Sequence, residues 1–155
     1  SRGEREDLSG KVIRELLGRL DSHIVKYDII PDEMDIISHK LVDWADEGTI
    51  DVIVTAGGTG LSQRDVTPEA TLAIVEKTVP GIGEAMRIRT LDKTPMAMLS
   101  RATAGVRSKC LIINLPGNPK AVRECLEVVL PAITHAVEII TGVVTEHVVR
   151  KEDKP

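Results

Sequence analysis

The sequence predicts an α/β fold, a three-layer α/β/α sandwich on a mostly parallel sheet. Three observations predict it. Residues 52–54 (VIV) and 110–116 (CLIINLP) are short aliphatic runs, the pattern of strands buried on both faces. Each run exits into a turn rich in glycine or proline, followed by a helix start. Helical apolar periodicity fills the intervals between the strands. No repeat or low-complexity linker interrupts the pattern, so the 155 residues read as one domain.

The elements follow in order. After the polar opening SRGERED, Val12, Ile13, Leu16, Leu17 and Leu20 fall on one helical face. HIVKYDII (23–30) reads as a strand stopped by Pro31. Asp32 is placed to cap a helix whose apolar face carries Ile36, Ile37, Leu41, Trp44 and Ala45, closed by Gly48. Strand 52–54 leads into Gly57, Gly58, Thr59 and Gly60. Thr67 then reads as the cap of a helix from Pro68 to about Thr78, with Pro68 in its first position. VPGIGEAMR is a turn into a short helix, and KTPMAMLSRA starts another, with Thr94 as cap. CLIINLP leaves through PGNP into a helix capped by Asn118, with Pro119 at its first position. Pro131 should kink or divide this last helical region, which ends near Thr141. Residues 143–149 (VVTEHVV) could close the fold as a strand, and RKEDKP reads as a frayed tail.

Composition narrows the function. Phe is absent and Trp44 and Tyr27 are the sole aromatic residues, so the core must be packed from aliphatic side chains and Met. With a net charge of -4, scattered basic residues and no stacking platform, nucleic acid is not an expected partner. No apolar run reaches membrane-spanning length, and the polar start is not a signal peptide. Cys110 and Cys125 lack metal-ligand spacing and read as reduced core residues, which suits a cytoplasmic protein. His23, His39, His135 and His147 form no metal signature.

Two loops carry the candidate chemistry. Glycines let a ligand approach bare backbone amides, and in open α/β sheets ligands sit beyond the carboxyl ends of strands. The loop 57–60 is therefore a candidate anion or ring cradle; a tight strand-to-helix turn without a ligand is the alternative. Pro116, Gly117 and Asn118 precede a helix amino end, which can present amides to an anion. Asp32 and Asp65 both sit where strands leave the sheet; Asp32 alone also suits a helix cap, and Asp65 alone a cap or an Asx turn. Glu84 could be a first-turn acid that favours a helix dipole, Ser100 could be a plain helix-surface hydroxyl, and Lys120 and Arg123 fit a solvated helix face.

The ordered set SRGEREDLSG, IIPDE, TAGGTG…RDVTPEAT, GIGEAMR, MLSRA and NLPGNPKAVRECL resembles the molybdopterin adenylyltransferase family of molybdenum cofactor biosynthesis, which includes the gephyrin G domain. The resemblance covers nearly the whole chain. It implies transfer of AMP from Mg-ATP to molybdopterin with release of pyrophosphate. It also implies that Asp65 and Asp32 are active-site acids holding Mg2+, and that Gly57, Gly58, Thr59, Gly60, Glu84, Ser100, Pro116, Gly117 and Asn118 bind substrate. A homotrimer and a hand-over to the metal-insertion enzyme of the pathway are implied as well. The family has a first strand ending in a Ser-Asp pair, a central strand of its sheet, that is not found here ahead of the opening helix. An upstream strand is thus expected to be missing and the sheet to show a gap; a fold that starts with a helix is the alternative. Two other functions remain: a non-catalytic molybdopterin-binding or scaffold module, and a nucleotide pyrophosphatase-like relative on the same architecture.

Overall fold

The computed structural model describes residues 2–143, with side chains from residue 8 onward. Its sheet is made by β1 (Val52–Ala56), β2 (Lys77–Thr78), β3 (Ala104–Arg107) and β4 (Cys110–Leu115), in the spatial order β1-β4-β3-β2. The helices are α1 (Arg2–Leu17), α2 (Met34–Asp46), α3 (Thr67–Leu72), α4 (Pro80–Thr90) and α5 (Pro119–Thr141). β4 is buried along its whole length because both faces are covered. Leu111, Ile113 and Leu115 pack with Leu16 of α1, Met86 of α4 and Val122, Leu126 and Ile133 of α5. Cys110 and Ile112 face Ile37, Leu41 and Ala45 of α2 and Ala70 of α3. Alternation along one strand thus divides two aliphatic cores, giving the three layers. Burial pushes the thiols of Cys110 and Cys125 up, to about 12 and about 11, which suits inert core residues.

The sheet is mixed, which corrects the mostly parallel expectation. β1 and β4 pair in parallel, Val52 opposite Leu111 through Ala56 opposite Leu115, but β3 runs antiparallel to both β4 and β2. The cause is a tight hairpin at Ser108-Lys109, with Ser108 at φ 53. Arg107 holds its base, donating to the Ile74 carbonyl at 2.8 Å and pairing with Asp46 at 3.1 Å. Residues 77–78, expected in the helix after Pro68, join this hairpin as β2, so α3 stops at Leu72.

Other elements differ in instructive ways. The first helix takes in the polar opening residues, starting at Arg2, well ahead of the apolar face that begins at Val12. Residues 23–30 form no strand; Ile24, Val25, Tyr27 and Ile29 are exposed. A strand needs a ladder partner, and β1 pairs with β4 alone. Between the 23–30 segment and the outer edge of β1 lies a groove of about 770 Å³, lined by Val25, Ile30, Val52 and Val54 among others. The segment is anchored elsewhere: Tyr27 packs so tightly on Gly10 that a Cβ there would lie 2.9 Å from the ring. Asp32 precedes α2 without capping it, since Glu33 is the N-cap residue and makes no side-chain cap bond. Thr67 lies inside α3 and not at its cap. Thr94 does cap, accepting from the Met96 amide, but the turn that follows is a 3-10 helix, Pro95–Leu99. α5 continues through Pro131, which is exposed, where water can satisfy the carbonyl that the missing N–H leaves free. Residues 144–149 and the tail lie outside the described residues. Among those described, no helix is long and apolar enough to cross a membrane.

The start of α5 gives a stability test. The Asn118 Oδ1 accepts from the Lys120 amide at 2.9 Å and the Ala121 amide at 3.5 Å. Asn118→Ala should cost about 1 kcal/mol and lower Tm by about 2–4 °C. Calorimetry showing an unchanged Tm would contradict the capping role.

Candidate functional site

Parallel pairing of β1 with β4 brings both exit loops to one edge of the sheet. The Gly57 amide extends the ladder, donating to the Leu115 carbonyl at 2.9 Å. Gly57 (φ 99) and Gly58 (φ 70) then turn the chain through conformations that disfavour a side chain. The loops touch: a Cβ on Gly117 would lie 3.2 Å from the Gly57 Cα. Ser9 of α1 secures the second loop by donating to the Gly117 carbonyl at 2.9 Å. Pro116 and Gly117 are half-buried, whereas Thr59 is buried.

The glycine loop closes on the turn that follows it. Thr67 donates its amide to the Gly58 carbonyl at 3.1 Å. Asp65 folds back toward Gly60, its Oδ2 accepting from the Ser62 hydroxyl at 2.8 Å and the Ser62 amide at 2.9 Å. These bonds, with help from the Gly60 amide and the charge of Arg101, hold the Asp65 carboxyl below its ordinary range despite partial burial. Asp32 reaches the same region through Arg64, whose Nη2 lies 3.9 Å from Asp32 Oδ2. Asp32, Gly57, Gly58 and Gly117 also line one groove.

The remaining candidates divide. Ser100 lies just past the 3-10 turn, accepting from the Ala102 amide at 3.3 Å, beside the residue that binds the glycine loop. Glu84 is exposed in the second turn of α4, too late to act on the helix amino end, and stands outside the bonds that join the loops. Arg123 is committed to Glu15 of α1 at 2.6 Å, and Lys120 is exposed. The amino end of α5 is less open than the sequence implies. Pro119 has no N–H, Asn118 Oδ1 takes the Lys120 and Ala121 amides, and the Asn118 carbonyl takes that of Val122. Any anion there must therefore use loop amides and the helix dipole.

Two residues escaped sequence reasoning. Asn114, fully buried on β4, donates to Thr55 Oγ1 at 3.1 Å and Thr71 Oγ1 at 3.0 Å, tying β1 to α3 beneath the loops. Its Oδ1 is buried without a partner among the described residues. A lone amide inside an apolar strand was the available signal. Arg101 holds the glycine loop through several carbonyls, and no local pattern announces it. Among the described residues no cluster of three or more His, Cys, Asp or Glu could hold a metal.

Comparison with known proteins gives one consistent neighbourhood. Residues 1–135 match the family model described as a probable molybdopterin binding domain. A molybdopterin adenylyltransferase of Helicobacter pylori strain J99 is 51% identical over 147 residues, covering 92% of this chain and 82% of that protein. The Escherichia coli K12 protein of the same name is 48% identical over 99 residues, covering 64% of this chain and 51% of that protein. The crystal structure of the Thermus thermophilus molybdopterin biosynthesis enzyme MoaB superposes with a TM-score of 0.84 at 50% identity, covering 91% of this chain and 89% of that one.

The loop electrostatics can be tested directly. The depressed Asp65 value means that its contribution to loop order is complete above the ordinary carboxylate range and fades as pH falls through the folded value. Ser62→Ala should move the Asp65 titration upward, read by carboxyl-carbon NMR. An unmoved midpoint would show that the Ser62 hydroxyl does not hold the charge.

Proposed function

The chain belongs to the molybdopterin-binding domain family, and we propose that it works as a molybdopterin adenylyltransferase of molybdenum cofactor biosynthesis. In this reading an oxygen of the terminal phosphate of molybdopterin attacks the α-phosphorus of ATP. The bond from that phosphorus to the bridging oxygen breaks, pyrophosphate leaves with the electron pair, and AMP becomes joined to molybdopterin. Such transfer needs positioning and charge neutralisation more than a protein nucleophile. The observation that carries the reading is the contact between Gly57 and Gly117, which unites two ligand-facing loops at one sheet edge.

The roles follow from placement. Gly58 and Thr59 would offer backbone amides to the pterin phosphate. Gly57, whose amide is bonded to the Leu115 carbonyl, and Gly60 would keep the loop bare for its approach, and Pro116, Gly117 and Asn118 would shape the neighbouring wall. Ser100 would act from the adjoining turn. Glu84, exposed on α4, would meet substrate only at its periphery. Asp65 and Asp32 would hold Mg2+ in this reading: both are hard oxygen donors, and the hydrogen bonds from Ser62 favour the charged form of Asp65. Two carboxylates suffice for Mg2+, which completes its shell with phosphate and water; bound there it would neutralise charge on the phosphates. A homotrimer in the cytoplasm belongs to the same proposal. The exposed Ile88, Leu91, Met96, Met98 and Leu99 on α4 and the turn after it supply apolar surface for self-association.

The test is pyrophosphate release from Mg-ATP that depends on molybdopterin; pterin binding without release would favour the scaffold reading instead. Within an active chain, Asp65→Asn keeps shape and hydrogen bonding but removes the charge. Turnover should fall on the order of a thousandfold, with pterin affinity changed by less than about tenfold. Near-normal AMP transfer would remove Asp65 from the catalytic set and leave it as a turn residue.

A further inference from the structure

The bonds that shape the glycine loop converge on Arg101, a residue the proposed chemistry does not otherwise use. Its backbone amide donates to the Thr59 carbonyl at 2.9 Å. Its Nε donates to the Gly60 carbonyl at 2.8 Å, and its Nη2 to the Asp65 carbonyl at 2.7 Å. The third branch, Nη1, pairs with Glu69 of α3. One planar fork thus spans the loop, the turn that carries Asp65 and the helix beyond.

Peptide planarity gives these bonds a consequence. In a trans peptide the carbonyl and the following N–H point opposite ways. Drawing the Thr59 and Gly60 carbonyls toward Arg101 therefore turns the amides of Gly60 and Leu61 away from it. Gly60 lies against the Asp65 carboxylate, whose Oδ2 a Cβ on Gly60 would meet at 2.9 Å. Glycine peptides flip easily, so without such a clamp the loop would sample several amide orientations. We propose that Arg101 is the positioning residue of the reaction, fixing the peptide planes of residues 59–61 and the place of Asp65 while touching neither substrate. The proposal rests on the adenylyl-transfer reading for its link to turnover, and on geometry alone for its claim about the loop.

Two variants and two readouts test it. Arg101→Lys keeps the charge but loses the planar fork. Glu69→Gln, at an exposed position, releases one anchor of the guanidinium and serves if the first variant fails to fold. Hydrogen exchange of amides 58–65 without substrate should accelerate by about tenfold in Arg101→Lys and by less in Glu69→Gln, with the core amides of β4 unchanged. In the wild-type assay with molybdopterin and Mg-ATP as control, kcat should fall by about tenfold to a hundredfold in Arg101→Lys while both KM values stay within about threefold. A purely structural role would instead accelerate exchange throughout the chain and leave the kcat of the folded fraction intact. Loop exchange like that of the wild type, or normal kcat beside a loosened loop, would overturn the proposal. If the wild-type chain itself releases no pyrophosphate, the reaction reading falls, and the exchange experiment alone decides the clamp.

Discussion

The parallel ladder between β1 and β4 is the constraint on which the site depends. Parallel neighbours end at the same edge of a sheet, so the loops that follow them emerge side by side. Here the ladder runs from Val52 opposite Leu111 to Ala56 opposite Leu115, and the Gly57 amide adds one more bond. The approach is tight at Gly117, where a Cβ would press on the Gly57 Cα at 3.2 Å, and Gly57 is glycine for a different reason, its φ of 99. The ladder is held in turn by β4, whose residues are all buried between two aliphatic cores. A core without Phe can do this because Leu, Ile and Val interdigitate well on both faces of a short strand.

The site that results has few functional side chains. The two loops present mostly backbone, because residues 57–60 include three glycines and residues 116–118 one. Asp65 is bound into the turn by Ser62, while Asp32 pairs with Arg64, the residue before Asp65. Backbone amides can serve a phosphate only while their orientation is held, so residues that grip carbonyls matter as much as those that face the ligand. Arg101 grips them from the loop side, and Asn114 braces β1 and α3 from below.

What the sequence made legible, and what it did not, follows the range of the interactions. Asn118 and Thr94 were readable as caps because a cap bonds amides two or three residues away. CLIINLP was readable because burial on both faces leaves a continuous apolar run. The β3–β4 hairpin was not, since AGVR is short and its Gly105 looks like a break; there glycine is needed because Val75 and the Lys77 carbonyl crowd the position. HIVKYDII had strand composition, but composition does not supply a ladder partner. Arg101 was invisible for a similar reason. Its acceptors are carbonyls 36 and 41 residues away, and every residue has a carbonyl. The resemblance pointed to the loops, and geometry alone showed what holds them.

The central claim is that the loops at 57–60 and 116–118 form one ligand site. Amide NMR of the chain titrated with molybdopterin tests it most directly. Amides of both loops should shift together along a single binding curve, with those at the far end of the sheet, near Ser108, unmoved. Shifts confined to one loop, or two loops following different curves, would contradict it.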